Sequence, residues 1–168
     1  LDGDGSTVNG TTYLELDDNE RNLMKFCKEN FKHTIVLLNT SSAMEIGFLD
    51  SEEYNVEACL WIGHPGDAGL VGVGKLITGA VNPSGRLVDT WAYDVSTNPT
   101  FYNMDNNRYA NGQDADNNTF YQYEEGIYVG YRFFETADAE GYFDSPAFTG
   151  HAFKNGTAAG YEQVVQFP

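Results

Sequence analysis

Residues 57–91, EACLWIGHPGDAGLVGVGKLITGAVNPSGRLVDTW, constrain this chain more than any other stretch, because they spell a strand, a turn, a helix and a second turn in order. Residues 58–62 form a short apolar run of the kind a buried strand needs, and Gly63, Pro65 and Gly66 end it sharply. A helix can start at this turn. The carboxylate of Asp67 suits a helix N-terminus, where it meets orphan N–H groups and the positive end of the dipole. Leu70, Val73, Leu76 and Ile77 then recur at helical spacing, and Gly79 stops the pattern. Turn chemistry at Asn82-Pro83-Ser84-Gly85 allows residues 86–91 to return as a second strand, giving a βαβ unit with a right-handed crossover.

Within that stretch, residues 69–75 read GLVGVGK and match the first seven positions of a phosphate-binding P-loop. The next position needs a hydroxyl to hold magnesium and carries Leu76. The leading glycine also lies inside the helical pattern, not directly after the strand. A helix is the better reading, with Gly69, Gly72 and Gly74 letting it approach the sheet closely despite a cost of about 1 kcal/mol each relative to Ala.

Upstream the alternation continues. Asp17 with Glu20 three residues later is a capping-box start, and Leu23, Met24, Cys27 and Phe31 form one face of the helix that follows. Residues 34–38, TIVLL, are a β-branched apolar run suited to a parallel strand. Residues 39–42, NTSS, close that strand at its carboxyl end, where open α/β sheets place ligands, and residues 50–53 can open a short helix. The resulting order predicts an α/β layered sandwich with a mainly parallel sheet flanked by helices. At 168 residues the chain is expected to form one domain, with residues 1–97 as its core and residues 98–168 completing it through loops and extended segments. That second part is long, irregular and rich in aromatics. Residues 121–135 carry an aromatic at nearly every other position and read as a strand or extended segment, and Val164 and Val165 suggest a last short strand.

Composition excludes more than it assigns. Twenty-five acidic against nine basic side chains give a net charge of −16, which repels phosphate backbones and anionic lipid and argues against nucleic acid or a membrane as partner. No apolar run approaches the roughly 18 residues of a membrane span, and the N-terminus is polar from its second residue, so neither a span nor a signal peptide is expected. Cys27 and Cys59 sit in apolar patterned stretches and are expected to be free and buried.

Metal-ligand patterns are incomplete. Residues 2–6, DGDGS, open like a calcium loop, but Val8 and Asn9 stand where an EF-hand needs a ligand and its glycine. Asp105, Asp114 and Asp116 read as members of a long solvated acidic loop. His33, His64 and His151 are widely separated, and Ser84 lacks the G-x-S-x-G elbow of a hydrolase nucleophile. No metal site and no cofactor is expected. What remains are carboxylates near strand ends or aromatic segments, namely Glu45, Glu52, Glu53, Glu124 and Glu125. Such groups are compatible with a sugar site, which needs one acid of raised pKa, one ionised carboxylate and aromatics to stack on rings.

The runs TIVLLNTSSAMEIG, LWIGHPGDAG, NPSGRLVDTW and YEEGIYVGYRFFET, in this order, resemble the second, α/β sandwich domain of the family 3 glycoside hydrolases, the β-glucosidases and β-xylosidases. The resemblance covers most of the chain, and NPSGRL and EGIYVGYR are its specific parts. It implies a domain of a retaining β-glycosidase that hydrolyses O-glycosyl bonds of β-glucosides or related oligosaccharides in carbohydrate metabolism. It also implies an Asp nucleophile on a preceding barrel domain and an acid/base Glu on a segment upstream of Leu1, with no cofactor. No catalytic residue is therefore assigned within the chain, and no substrate-binding residue is named. Glu124 and Glu125 are the best residual candidates, although Glu125 and Arg132 fit a structural role as an ion pair or as backbone anchors. An extracellular or cell-surface setting is favoured. The expected partners are the sugar substrate and the barrel of the same enzyme, and the isolated chain is expected to be inactive. A non-catalytic carbohydrate-binding module and a flavodoxin-like nucleotide- or cofactor-binding domain are the alternatives.

Overall fold

The computed structural model describes residues 7, 8, 11, 12, 14–103, 123–148 and 165–166. A short antiparallel hairpin, β1 (Thr7–Val8) and β2 (Thr11–Thr12), stands first. Helix α1 (Asp18–Asn30) then starts at the expected box: the Asp17 N–H donates to Glu20 Oε2 at 2.9 Å, and the Glu20 N–H donates to Asp17 Oδ1 at 2.8 Å. Two donors that the first turn of a helix leaves without intrahelical partners are satisfied reciprocally.

Of the face expected on α1, Met24 is buried and Cys27 half-buried, whereas Leu23 and Phe31 are exposed. Met24 packs with Leu16 and Tyr54, against which Val36, Met44, Phe48 and Val56 also lie. Two charged side chains hold α1 to the segment that follows β3. Lys28 Nζ donates to the Glu52 carbonyl, and Lys25 Nζ pairs with Glu53 Oε1 at 2.8 Å.

Strands β3 (Ile35–Leu38) and β4 (Ala58–Trp61) pair in parallel, with Ile35 opposite Ala58 and Leu38 opposite Trp61. A 3-10 turn over Gly47–Asp50 lies between them, so the short helix ends where a start was expected. At the entry edge of the pair, the Glu57 N–H donates to the Thr34 carbonyl at 3.0 Å and the Glu57 carboxylate lies 2.8 Å from His33 Nδ1.

Helix α2 (Gly66–Ile77) follows β4 as expected, with Asp67 in its first turn and Gly79 just beyond its end at φ +72°. That left-handed conformation costs glycine nothing and closes the helix. The glycines inside α2 do not share one role. A Cβ on Gly69 would sit 2.8 Å from Pro65 Cβ, so a close contact with the preceding turn requires glycine there; at Gly72 and Gly74 nothing lies within 4 Å. The expected close approach of those two to the sheet is therefore not made. Val73 is the buried residue of α2, while Leu70 and Ile77 are exposed.

The expected βαβ closure is also corrected. Residues 86–90 contain no strand, and β5 (Trp91–Ala92) pairs antiparallel with β6 (Val165–Gln166), with Trp91 opposite Gln166 and Ala92 opposite Val165. The reason is visible in Trp91. Its side chain, 3% exposed, packs into a core with Leu38 and Ile46, and the backbone N–H groups of Ile46 and Gly47 donate to the Ala92 and Tyr93 carbonyls at 3.1 and 3.0 Å. The segment is thus held by the loop after β3 and does not pair with β4. The late strand at β6 meets the expectation for Val165.

Residues 93–103 hold a 3-10 turn (Val95–Thr97) and the short helix α3 (Thr100–Asn103). The strand or extended reading of residues 121–135 is overturned over its second half by helix α4 (Tyr131–Ala139). Phe134 and Ala137, three residues apart, are buried on one face of α4 with Ala92 and Phe143, and Phe134 is 1% exposed. Burying a phenylalanine side chain stabilises by about 1.5–3 kcal/mol, which favours the helical period over the alternating one. The alternating aromatics expected on a strand face are not buried: Tyr123 is 81% exposed, and Tyr128 and Tyr131 are exposed as well.

Candidate functional site

The loop at the carboxyl end of β3 meets β5 and the segment that follows it, and the best-defined polar arrangement lies there. Glu45 stands in the loop after β3. Its N–H donates to the Leu14 carbonyl at 2.7 Å, and its Oε2 accepts from the Val95 N–H at 3.1 Å. Burial pushes the Glu45 carboxyl above its ordinary value, and the nearby charges of Glu15 and Asp94 add to the shift; the Val95 hydrogen bond and Arg21 oppose it. Asp94 caps the same turn, accepting from the Ser96 N–H at 2.9 Å and the Ser96 hydroxyl at 2.6 Å. Glu15 forms an ion pair with Arg21 at 3.2 Å.

A carboxyl of raised pKa is what a general acid needs. Here, however, it receives the first N–H of a 3-10 turn and joins two loops, so Glu45 anchors the 95–97 turn to the strand end. An aromatic pair stands beside it. The Trp61 and Trp91 rings have centroids 5.7 Å apart, and Trp61 Nε1 donates to the Thr40 carbonyl at 2.8 Å. The Trp91 ring is buried in the core, and the half-buried Trp61 ring packs against that core.

The other carboxylates singled out from the sequence are not brought together. Glu52 is exposed and its carbonyl holds Lys28, while Glu53 pairs with Lys25, whose hydrogen bond and charge lower the Glu53 carboxyl below its ordinary value. Glu124 is exposed and Glu125 half-buried in the turn before α4, where the Tyr128 N–H donates to the Glu125 carbonyl at 3.0 Å. Arg132 lies over the Tyr131 ring, 5.3 Å from its centroid. Ser84 and His64 are exposed. The P-loop-like residues 69–75 lie wholly within α2, whose helical N–H groups are committed to its own backbone and cannot cradle phosphates. Asp2, Asp4, Asp105, Asp114, Asp116 and His151 lie outside the described residues. Among the described residues, no group of three or more His, Cys, Asp or Glu side chains converges to hold a metal, and no helix is long and apolar enough to cross a membrane.

Sequence reasoning did not foresee the bond from Val95 to Glu45 or the contact between Trp61 and Trp91. Each joins residues at least 30 apart, and the only signal in the chain is the placement of both tryptophans at element ends.

The parallel β3–β4 pair with its helices defines an α/β domain. Residues 3–131 match the family described as glycosyl hydrolase family 3 C-terminal domain, and the chain belongs to that family. A β-glucosidase of Ruminococcus albus is 34% identical over 125 residues, covering 74% of this chain and 12% of its own length. Thermostable beta-glucosidase B of Acetivibrio thermocellus is 29% identical over 133 residues, covering 79% of this chain and 16% of its own. A beta-xylosidase/alpha-L-arabinofuranosidase of Medicago sativa subsp. varia is 35% identical over 57 residues, covering 34% of this chain and 7% of its own. The chain thus spans well under a fifth of the length of these relatives. No solved structure matches it.

Proposed function

We infer that this chain is a domain of a retaining β-glycosidase that cleaves β-glucosides or related oligosaccharides, and that it forms one wall of the active-site cleft. The observation that carries the reading is the match of residues 3–131 to the family 3 C-terminal domain, together with relatives that bear the name β-glucosidase. Residues 1–168 then form one layered α/β sandwich, its parallel sheet flanked by helices, and a barrel elsewhere in the same polypeptide is its partner. Retaining hydrolysis needs two carboxyl groups about 5 Å apart, one as nucleophile and one as acid/base. Glu45, the described carboxyl held up by burial, serves as an anchor, and Glu124 and Glu125 stand exposed or half-buried on a turn. The nucleophile therefore belongs to the rest of the enzyme. Neither a carbohydrate-binding module nor a nucleotide-binding domain is favoured.

A mechanism-based fluoroglucoside, which leaves the sugar covalently on the nucleophile of a retaining enzyme, tests this in the full-length protein. The labelled peptide is expected outside residues 1–168. A sugar adduct on Glu124 or Glu125 would overturn the assignment.

A further inference from the structure

Two loops leave the parallel pair β3–β4 side by side at its carboxyl end. The ladder runs one step past the last paired residues, since the Ile62 N–H donates to the Leu38 carbonyl at 3.0 Å, so residues 39–42 and 63–66 start out as neighbours. Trp61 ties both. Its Nε1 donates to the Thr40 carbonyl at 2.8 Å, and a Cβ added at Gly63, where φ is +55°, would meet the same indole at 3.9 Å. Within the first loop, Thr40 Oγ1 donates to the Ser42 carbonyl at 2.8 Å and accepts from the Ser42 N–H at 3.3 Å. A backbone fixed in this way presents its side chains to a ligand with little further ordering to be done on binding. Those side chains are polar. Asn39 and Ser41 on one loop and His64 on the other are exposed, and among the described residues no hydrogen bond engages any of the three side chains.

We propose that Asn39, Ser41 and His64 form a rim that binds hydroxyl groups of the leaving-group sugar in a β-linked oligosaccharide. Three observations favour this ligand. The loops lie at the carboxyl ends of parallel strands, where α/β sheets bind their ligands. The Asn39 amide and the Ser41 hydroxyl each donate and accept, which matches neighbouring sugar hydroxyls that do the same. Residues 39–42 carry no charged side chain and the whole chain has a net charge of −16, so a neutral ligand suits the rim and an anionic one does not. The inference rests on the reading of this chain as a cleft wall of a retaining β-glycosidase and deepens it. In that reading the nucleophile, which holds the sugar that is cleaved off, belongs to the rest of the enzyme, so the part of the substrate left for this wall is the sugar beyond the scissile bond.

The test compares kcat/KM of the full-length enzyme for a disaccharide of two β-linked glucose units with that for an aryl β-glucoside, whose leaving group bears no sugar hydroxyls. Both are measured in the parent and in Asn39→Ala, Ser41→Ala and His64→Ala, singly and combined. Loss of one uncharged hydrogen bond weakens binding by up to about tenfold, so the ratio of disaccharide to aryl glucoside is expected to fall about three- to tenfold in the single variants and further in the combined one. A merely structural role would lower both substrates together and leave the ratio where it was. An unchanged ratio, whether from equal losses or from none, overturns the proposal. Activity of the parent separates this from failure of the glycosidase reading: a parent that turns over both substrates while its variants keep the ratio sinks the rim alone, whereas a parent that turns over neither sinks the glycosidase reading and the rim with it.

Discussion

Trp61 and Trp91 meet with ring centroids 5.7 Å apart and planes inclined at 58°, joining the end of β4 to β5. This contact ties the parallel pair to the segment that carries Tyr93 and Asp94, and with Leu38 and Ile46 it forms the core beneath the loops at the carboxyl ends of the strands. Replacing buried Trp91 by Ala is expected to cost about 3–5 kcal/mol. Trp61→Phe keeps an aromatic ring and loses the N–H donated to Thr40, so about 1 kcal/mol is expected. Urea unfolding of the two variants reads the difference directly; equal losses would show that the ring contact does not dominate.

The capping box of α1 predicts a graded series. Asp17→Ala removes the acceptor for the Glu20 N–H and is expected to cost about 1 kcal/mol, whereas Asp17→Asn keeps an oxygen at the cap and costs only a small part of that. Thermal unfolding of both variants is the check. A loss as large for Asn as for Ala would mean that charge, not the cap bond, is what matters.

Glu45 makes a prediction about pH. Its folded pKa is raised above the ordinary 4.5, so the native state holds its proton more tightly than the unfolded chain does. Its contribution to stability is therefore fully present below the unfolded value and is lost as pH rises through the folded one. Glu45→Gln keeps an oxygen for the Val95 N–H without the buried charge. Relative to the parent, the variant should gain stability as pH rises from 4 towards neutrality. Unfolding midpoints measured at both pH values test the sign; a variant that loses ground as pH rises contradicts it.

The cysteines are both free, as expected, but each is half-buried and not fully buried. Burial pushes the Cys59 thiol up to about 11, from an ordinary 9.0. Because the thiolate is the nucleophile, alkylation of Cys59 at neutral pH should be slow and should accelerate about tenfold for each rise of one pH unit up to that value. Peptide mapping after iodoacetamide treatment at several pH values reads this. A rate that levels off near pH 9 would show an unshifted thiol.

What the sequence showed and what it hid divide along physical lines. Local signals held: the Asp17–Glu20 box started α1, the β-branched run gave β3, and the Gly63-to-Gly66 turn opened α2. The misses depended on long-range contacts. Residues 86–91 have the composition of a returning strand, but the burial of Trp91 against Leu38 and Ile46 and the pairing of β5 with Val165 and Gln166 decide their course. Aromatics in residues 121–135 satisfy an alternating and a helical pattern equally well until Phe134 and Ala137 find Phe143. At the site, the carboxylates were legible as residues, but their roles were not. Glu45 is an anchor because Val95, 50 positions away, donates to it. Family membership was readable because it rests on contiguous motifs, which do not depend on where the chain folds back.

The measurement that bears most directly on the central claim is turnover of an aryl β-glucoside by three proteins: the full-length enzyme, the enzyme lacking residues 1–168, and residues 1–168 alone. Removing one member of a nucleophile and acid/base pair costs orders of magnitude in rate, so turnover is expected from the full-length enzyme and not from residues 1–168 alone. Loss of activity on deleting residues 1–168 is expected too, since the cleft then lacks a wall. Turnover by residues 1–168 alone would contradict the placement of the catalytic pair elsewhere, and an active enzyme without them would contradict their part in the cleft.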